Sequence, residues 1–293
     1  MGKSTARLFR DEHQKEIVRR FDKICYRHNR WDVWSNFITM VAIEISNAVD
    51  SGHAEHRGEM YRNIAKQYDA AEMQLFAEMF AEIVAGMEQN PDQDFLGELF
   101  MCLELGNEHR GQFFTPYCIC KMMAQINSPN LKELIAERGW ISVSDPACGA
   151  GALLVAFANM CRQPDIDVNY QTSVLFVAQD IDFTVGCMCY IQLSLMGCAG
   201  YVVIDDSLLH PSTSYDEHGL IPKDTENVWY TPFFFRTEWH MRRMGAMMDY
   251  HFRQIEAQSP ADAPAEMPVA APINEPEPES AFGETKHGQL TLF

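Results

Sequence analysis

Apolar and polar positions fall into two regimes along this chain. Up to residue 90 the large apolar side chains recur at three- and four-residue spacing: Leu8, Ile17, Phe21 and Ile24, then Phe37, Val41 and Ile45, then Met73, Phe76, Met79, Phe80 and Ile83. That period lines one face of successive amphipathic helices. Residues 1–95 therefore read as a small all-helical domain. From Trp140 the period changes. Short apolar runs, Ile141 to Ser144, Val174 to Ala178 and Tyr201 to Ile204, alternate with helical stretches that open near Gly151 and Asp182. Strands separated in this way specify parallel β-α-β units, because a parallel pair needs a crossover long enough to hold a helix.

Past Ser207 a loop rich in Pro, Ser, Asp and Gly leads to a further run, Val228 to Phe235, and then to a helix from Arg236 to Ile255. Residues 96–256 are thus expected to form an α/β, Rossmann-like domain. Within the last helix, Met241, Met244, Met247 and Met248 read as a packed face. Residues 257–288 are Pro, Ala and Glu with few large apolar side chains, too few to offset the entropy lost on folding, and read as a disordered linker.

Composition narrows the function classes. A chain of 293 residues that is 47% hydrophobic can bury one sizeable core and a smaller companion unit. No apolar stretch is long enough to span a bilayer, and the charged N-terminus is unlike a secretion signal. Nine cysteines scattered through apolar segments suit a reducing compartment, so a cytoplasmic protein is expected. The pairs Cys118/Cys120 and Cys187/Cys189 each lack a second pair at ligand spacing, and no metal site is expected.

The net charge of −18 opposes wrapping by DNA, but it is uneven. Residues 1–30 hold nine Lys or Arg against four Asp or Glu, whereas residues 31–100 hold three against thirteen. A DNA contact made by this chain alone would use the N-terminal helix, through Arg7, Arg10, Lys15, Arg19, Arg20, Lys23, Arg27 and Arg30. A solvated helix face fits that pattern equally well.

The run richest in chemistry is Asp145-Pro146-Ala147-Cys148-Gly149-Ala150-Gly151, where a predicted strand ends and a helix begins. Glycines there let the backbone approach a ligand, and the helix N-terminus beyond offers free N–H groups to a carboxylate. After the second run comes Gln179-Asp180-Ile181-Asp182; a carboxylate at that point can accept hydrogen bonds from both hydroxyls of a ribose. The third run ends at Asp205-Asp206-Ser207-Leu208, again at the strand edge where ligands of such sheets lie.

Together with Gly111-Gln112-Phe113-Phe114-Thr115-Pro116, these elements occur in an order that resembles the modification subunit of type I restriction systems and related adenine-specific DNA methyltransferases. The resemblance runs from Asp94 to Pro211. It implies an S-adenosylmethionine-dependent methyltransferase fold with S-adenosylmethionine as cofactor. By that resemblance Phe113, Phe114, Thr115 and Pro116 hold the methionine part, and Asp145, Ala147, Gly149 and Gly151 form the loop beneath its amino and carboxylate groups. Asp180 binds the ribose, Ile181 packs on the adenine ring, and Asp206 with Leu208 reaches the adenine amino group.

The chain also departs from that family. Its catalytic tetrapeptide, Asn-Pro-Pro followed by Tyr or Phe, is absent, and the nearest segment is Tyr230-Thr231-Pro232-Phe233. Tyr230, Pro232 and Phe233 are accordingly the candidates for a reduced catalytic loop. A complete sheet of this type has further strands, while residues 208–256 have room for one strand and one helix, so a truncated sheet is expected. A second methyltransferase or specificity subunit would then complete the site, or the chain would be a non-catalytic adaptor. Cytosine-C5 chemistry is disfavoured, since it needs a nucleophilic Cys beside Pro.

The last residues, Gln289-Leu290-Thr291-Leu292-Phe293, resemble the peptide by which bacterial replication and repair proteins dock on the sliding clamp. Leu290, Leu292 and Phe293 would fill an apolar pocket while Gln289 bonds at its rim. The expected partners are therefore DNA and the clamp.

Overall fold

The computed structural model describes residues 11–103, 105, 114–126, 130–216, 218–223 and 225–258. The chain divides into two compact units, Met1–Arg253 and Gln254–Phe293, and the first carries the whole of the described sheet. Five helices come first: α1 (Glu12–Ile24), α2 (Arg30–Asn47), α3 (Ala54–Ala65), α4 (Ala70–Gln89) and α5 (Phe95–Cys102). Asp11, Asn29, Asp69 and Asp94 cap α1, α2, α4 and α5 by accepting hydrogen bonds from first-turn N–H groups, which would otherwise lack partners. Ile17, Phe21, Phe37, Val41, Phe76, Met79 and Ile83 are buried, as their helical spacing predicts.

Basic side chains of the N-terminal helices are paired with carboxylates of the protein. Arg20 binds Glu16 and, across on α4, Glu78 and Glu82; Arg19 pairs with Glu16, Lys15 with Glu12, Arg27 with Asp69, and Arg30 with Asp22. Part of this pairing holds α1 to α4, while the side chains of Arg19, Arg27 and Arg30 stay 54%, 64% and 43% exposed, a charged and solvated face. Arg7 and Arg10 lie outside the described residues.

The α/β part follows. It comprises α6 (Tyr117–Ile126), α7 (Leu131–Arg138), β1 (Ile141–Asp145), α8 (Ala152–Cys161), a short α9 (Tyr170–Ser173), β2 (Val174–Asp180), α10 (Phe183–Leu195), β3 (Ala199–Ile204), β4 (Val228–Tyr230) and α11 (Thr237–Gln258). The strand order is β1-β2-β3-β4, with β1, β2 and β3 parallel and β4 antiparallel to β3. This is the α/β, Rossmann-like architecture that the alternating pattern predicts.

β3 is buried throughout and β2 everywhere but its last residue, as for parallel strands covered on both faces; β1 alternates between half-buried and exposed positions. One apolar core runs from Ile17 through Trp229, and Ser35 of α2 bonds Thr184 of α10 at 2.8 Å, so the helical and α/β segments share an interior.

Two local expectations differ from the fold. The run Val228 to Phe235 is strand only to Tyr230, and Pro232–Phe235 is a 3-10 turn. Thr231 turns its hydroxyl onto the Cys198 carbonyl at 2.7 Å, and Pro232 has no N–H with which to extend the ladder. The methionines of α11 are exposed rather than packed, while Trp239 fixes the start of that helix by donating its indole N–H to the Gln171 carbonyl at 2.8 Å. No helix among the described residues is long and apolar enough to cross a membrane.

Candidate cofactor-binding site

The parallel register aligns the carboxyl ends of β1 and β2, pairing Asp145 with Ala178, so Asp145 and Asp180 finish on the same side of the sheet. Between them the chain turns through Pro146 to Gly151 into α8. Gly149 (φ 55°) and Gly151 (φ 93°) take the left-handed conformation that favours glycine. A Cβ on Gly151 would stand 2.8 Å from Cys189 Sγ, so the glycine is also what lets α8 lie close to α10.

The loop is held from two sides. In front, Gly149 N–H donates to the Asp180 carboxylate at 2.8 Å and Cys148 N–H to the Gln179 carbonyl at 2.9 Å. Behind, the buried Gln192 amide donates to the Ala150 carbonyl at 2.8 Å and to the Asp94 carboxylate at 2.9 Å, and its oxygen accepts from Leu96 N–H at 3.2 Å. Burial pushes the Asp94 carboxyl above the ordinary carboxylate range.

A cavity of about 390 Å³ opens over this loop. Its polar end is formed by Asp145, Asp180 and the backbone of residues 147–149; Phe114, Thr115, Met123 and Leu153 close the rest. Phe114 is braced by stacking on Phe100, ring centroids 5.3 Å apart. Among the described residues, no Lys, Arg or His lines it. Burial raises the pKa of both Asp145 and Asp180, and the Asp180 charge pushes Asp145 further in the same direction. Asp180 accepts from Gly149 N–H through one oxygen and from Asp182 N–H, at 2.9 Å, through the other, yet a carboxylate has lone pairs left for a ligand.

Of the residues assigned from sequence, Phe114, Thr115, Asp145, Ala147, Gly149 and Asp180 surround this cavity, with Gly151 directly behind it. Pro116 is exposed and starts α6, its carbonyl accepting from Ile119 N–H. Ile181 is 70% exposed and Leu208 90%, and neither lines the cavity. The Asp206 carboxylate closes the turn after β3, accepting from Leu208 N–H at 2.8 Å and Leu209 N–H at 3.2 Å, and it too stands outside the lining. Phe113 lies outside the described residues, as do Gln289, Leu290, Leu292 and Phe293.

The catalytic candidates sit elsewhere. β4 runs antiparallel, from Val228 opposite Val203 to Tyr230 opposite Tyr201, and Thr231 then bonds to Gly200. Tyr230, Pro232 and Phe233 therefore lie at the amino end of β3, whereas the cavity is at the carboxyl end of β1 and β2. β3 from Gly200 to Ile204 separates the two by roughly 13 Å of strand. Tyr230 is buried and stacked on Phe234.

Sequence reasoning missed Cys120, Met123, Leu153 and Val185 in the lining. A signal for the first two existed: they fall four and seven residues after Pro116, one helical face counted from the predicted helix start.

A glycine loop before a helix, a carboxylate ending the next strand and a crevice at the strand ends are the features by which the doubly wound α/β class binds nucleosides. Within that class, the chain belongs to the N-6 DNA methylase family, which matches residues 98–265. It is 25% identical over 170 residues to the methylase subunit of the type I restriction enzyme MjaIX of Methanocaldococcus jannaschii; that stretch is 56% of this chain and 27% of the relative. The chain thus spans well under two thirds of that relative's length. A Listeria monocytogenes protein described as a class I S-adenosylmethionine-dependent methyltransferase aligns in structure with a TM-score of 0.40 and 14% identity, over 81% of this chain and 79% of that one. S-adenosylmethionine is the cofactor that the family implies, and the donor set fits it: carboxylates suit its hydroxyls and amino group, and the N-terminal turn of α8 suits its carboxylate.

The raised pKa values of Asp145 and Asp180 give opposite pH trends for ligand and fold. Binding of a cation needs the ionised carboxylates, so affinity is expected to fall on acidification, beginning above the ordinary carboxylate range of about pH 4. For the ligand-free protein the sign reverses. The native state holds these protons more tightly than the unfolded chain does, so their contribution is present at low pH and lost as pH rises through the raised values. Calorimetric titrations and melting curves across this range, compared with Asp145→Asn, check both; parallel trends for wild type and variant would count against this account.

Proposed function

We propose that the chain is the S-adenosylmethionine-binding part of a DNA adenine-N6 methyltransferase, brought to newly replicated DNA in the cytoplasm by its terminal peptide. The supporting observation is the charge of the cavity: two carboxylates and, among the described residues, no basic side chain. S-adenosylmethionine presents a sulfonium and an ammonium to such a site. A dinucleotide or nucleoside triphosphate would bring phosphates to the same crevice, which two carboxylates repel.

In this reading Asp180 holds the ribose hydroxyls, Asp145 the amino group, and the first-turn backbone N–H groups of α8 the carboxylate, which Gly149 allows to approach. Phe114 and Thr115 cover the methionine part and keep water from it. Pro116 and Gly151 shape the flanking backbone, and Asp206, Ile181 and Leu208 form the rim on the adenine side. When bound, the cofactor supplies an electrophilic methyl group; these residues fix its orientation. Gln289, Leu290, Leu292 and Phe293 dock on the sliding clamp, which raises the local concentration of DNA ends and new duplex around the enzyme.

A second reading is favoured by one observation. Tyr230, Pro232 and Phe233 lie at the far end of β3 from the cavity, so a non-catalytic adaptor that binds cofactor and clamp remains in play. The deciding experiment supplies labelled S-adenosylmethionine and unmethylated DNA to the protein isolated from its native host with its bound partners, with and without clamp. Digestion to nucleosides should yield N6-methyladenine, more of it with clamp. Cofactor binding without any methyladenine would favour the adaptor, and tighter binding of ATP than of S-adenosylmethionine would reject both.

A further inference from the structure

Two features beside the cavity lack a partner among the described residues. β1 is paired only with β2, so its other row of backbone N–H and C=O groups is open. Ser142 and Ser144 on it are exposed, in contrast to the buried β2 and β3. An open strand edge is a template for pairing with another chain, and parallel strands are ordinarily covered.

The second feature is on α6. Ile119, Met122, Met123 and Ile126 are 41%, 50%, 36% and 66% exposed, at the i, i+3, i+4, i+7 spacing of a single helical stripe. Cys120 and Ala124 on the other side of that helix are buried. Met123 also lines the cavity beside Asp145, the last residue of β1, so stripe, open edge and cavity mouth adjoin. Ligands of doubly wound sheets bind in a crevice with strands on both sides, and here the described strands wall only one.

We propose that a second polypeptide with a basic surface docks on this face, adds a strand beside β1, covers the α6 stripe and closes the open side of the cavity. The inference rests on the cofactor reading above. Charge selects the occupant. A second copy would bring a further −18 to a chain that already carries −18, whereas a basic protein is attracted to it and supplies the cations that DNA phosphates require. Backbone pairing along β1 provides the geometry and the α6 stripe the apolar anchor, a strand-addition mode of recognition.

The test uses M122E/I126E, two already exposed positions outside the cavity lining, beside wild type, each isolated from the native host and also after salt-stripping of bound protein. Stripped wild type should bind S-adenosylmethionine but methylate DNA at least tenfold more slowly than the complex. Peptide 141–145 should gain hydrogen-exchange protection in the complex, and the bound chain should be basic. M122E/I126E should bind S-adenosylmethionine within threefold of wild type while losing the partner, the protection and the activity. The inference is overturned if stripped wild type methylates DNA as fast as the complex, if the variant keeps its partner, if β1 gains no protection, or if the bound chain is a second copy. Failure of wild type to bind S-adenosylmethionine overturns the cofactor reading itself.

Discussion

Asp180→Ala is expected to weaken S-adenosylmethionine binding by about 100- to 1,000-fold, the largest effect of any single change at the cavity. Hydrogen bonds to a charged group contribute about 1.5–3 kcal/mol each, and two ribose hydroxyls engage this carboxylate in the proposed role. At the lower end of that range two such bonds amount to about 3–4 kcal/mol, with each 1.4 kcal/mol a factor of ten. The change also removes the acceptor for Gly149 N–H and Asp182 N–H, so the loop beneath the ligand loses its tether to β2. Asp180→Asn keeps one acceptor oxygen and should fall between Ala and wild type. Fold stability should move little, because removing a carboxylate whose pKa is raised by burial offsets the two orphaned N–H groups. Calorimetric titration of both variants beside their melting curves is the measurement; an Ala variant within threefold of wild-type affinity would remove Asp180 from the site.

Arg57→Leu is expected to cost the most stability. Arg57 is 1% exposed; its guanidinium donates to Asp50 at 2.8 Å and to the Val228 carbonyl at 2.7 Å, and lies 4.1 Å from the centre of the Trp229 ring. Removing one member of a buried ion pair costs about 3–5 kcal/mol; Asp50 keeps His53 Nδ1 at 2.8 Å and the Gly52 N–H at 3.2 Å but loses its guanidinium partner. At about 2–4 °C per kcal/mol for a domain of this size, the melting temperature should fall by roughly 6–20 °C. Arg57→Leu combined with Asp50→Leu should recover part of the loss, because no lone charge then remains buried. Since Val228 opens β4, the single variant should also speed hydrogen exchange of Val228–Tyr230 ahead of β2. A melting temperature within 2 °C of wild type would show that the pair contributes little.

The cofactor side of this protein was largely legible in the residue order. Asp145, Gly149 and Asp180 sit within a few residues of strand ends, and strand ends are where a period of two gives way to a period of 3.6; both signals are local. The glycines carry their own conformational signature, and Gly149 and Gly151 do take positive φ. Residues whose role depends on a distant segment were not legible. Gln192 and Asp94 brace the back of the loop although 98 positions separate them. Arg57, one basic residue in an exposed-looking helix, is buried only because β4 arrives from residue 228 to meet it.

The same distinction explains the catalytic candidates. A motif search sees that Tyr230-Thr231-Pro232-Phe233 holds a proline and aromatics, but it cannot see strand direction. Had β4 run parallel to β3, Phe233 would have pointed toward the cofactor end; running antiparallel, it carries the segment to the opposite end. Likewise the sequence could not show that Arg20 of α1 meets Glu78 and Glu82 of α4.

By itself, then, the order of residues determined the helical and α/β halves, the glycine loop and the two carboxylates of the cavity, because periodicity and strand-end position are set by neighbours along the chain. Only the tertiary structure decided that, among the described residues, β1 is paired along one edge, that the Asp206 carboxylate closes a turn outside the cavity lining, and that Tyr230 is distant from the cavity. Strand pairing, direction and burial depend on contacts between segments far apart in sequence, and such contacts leave no period to read.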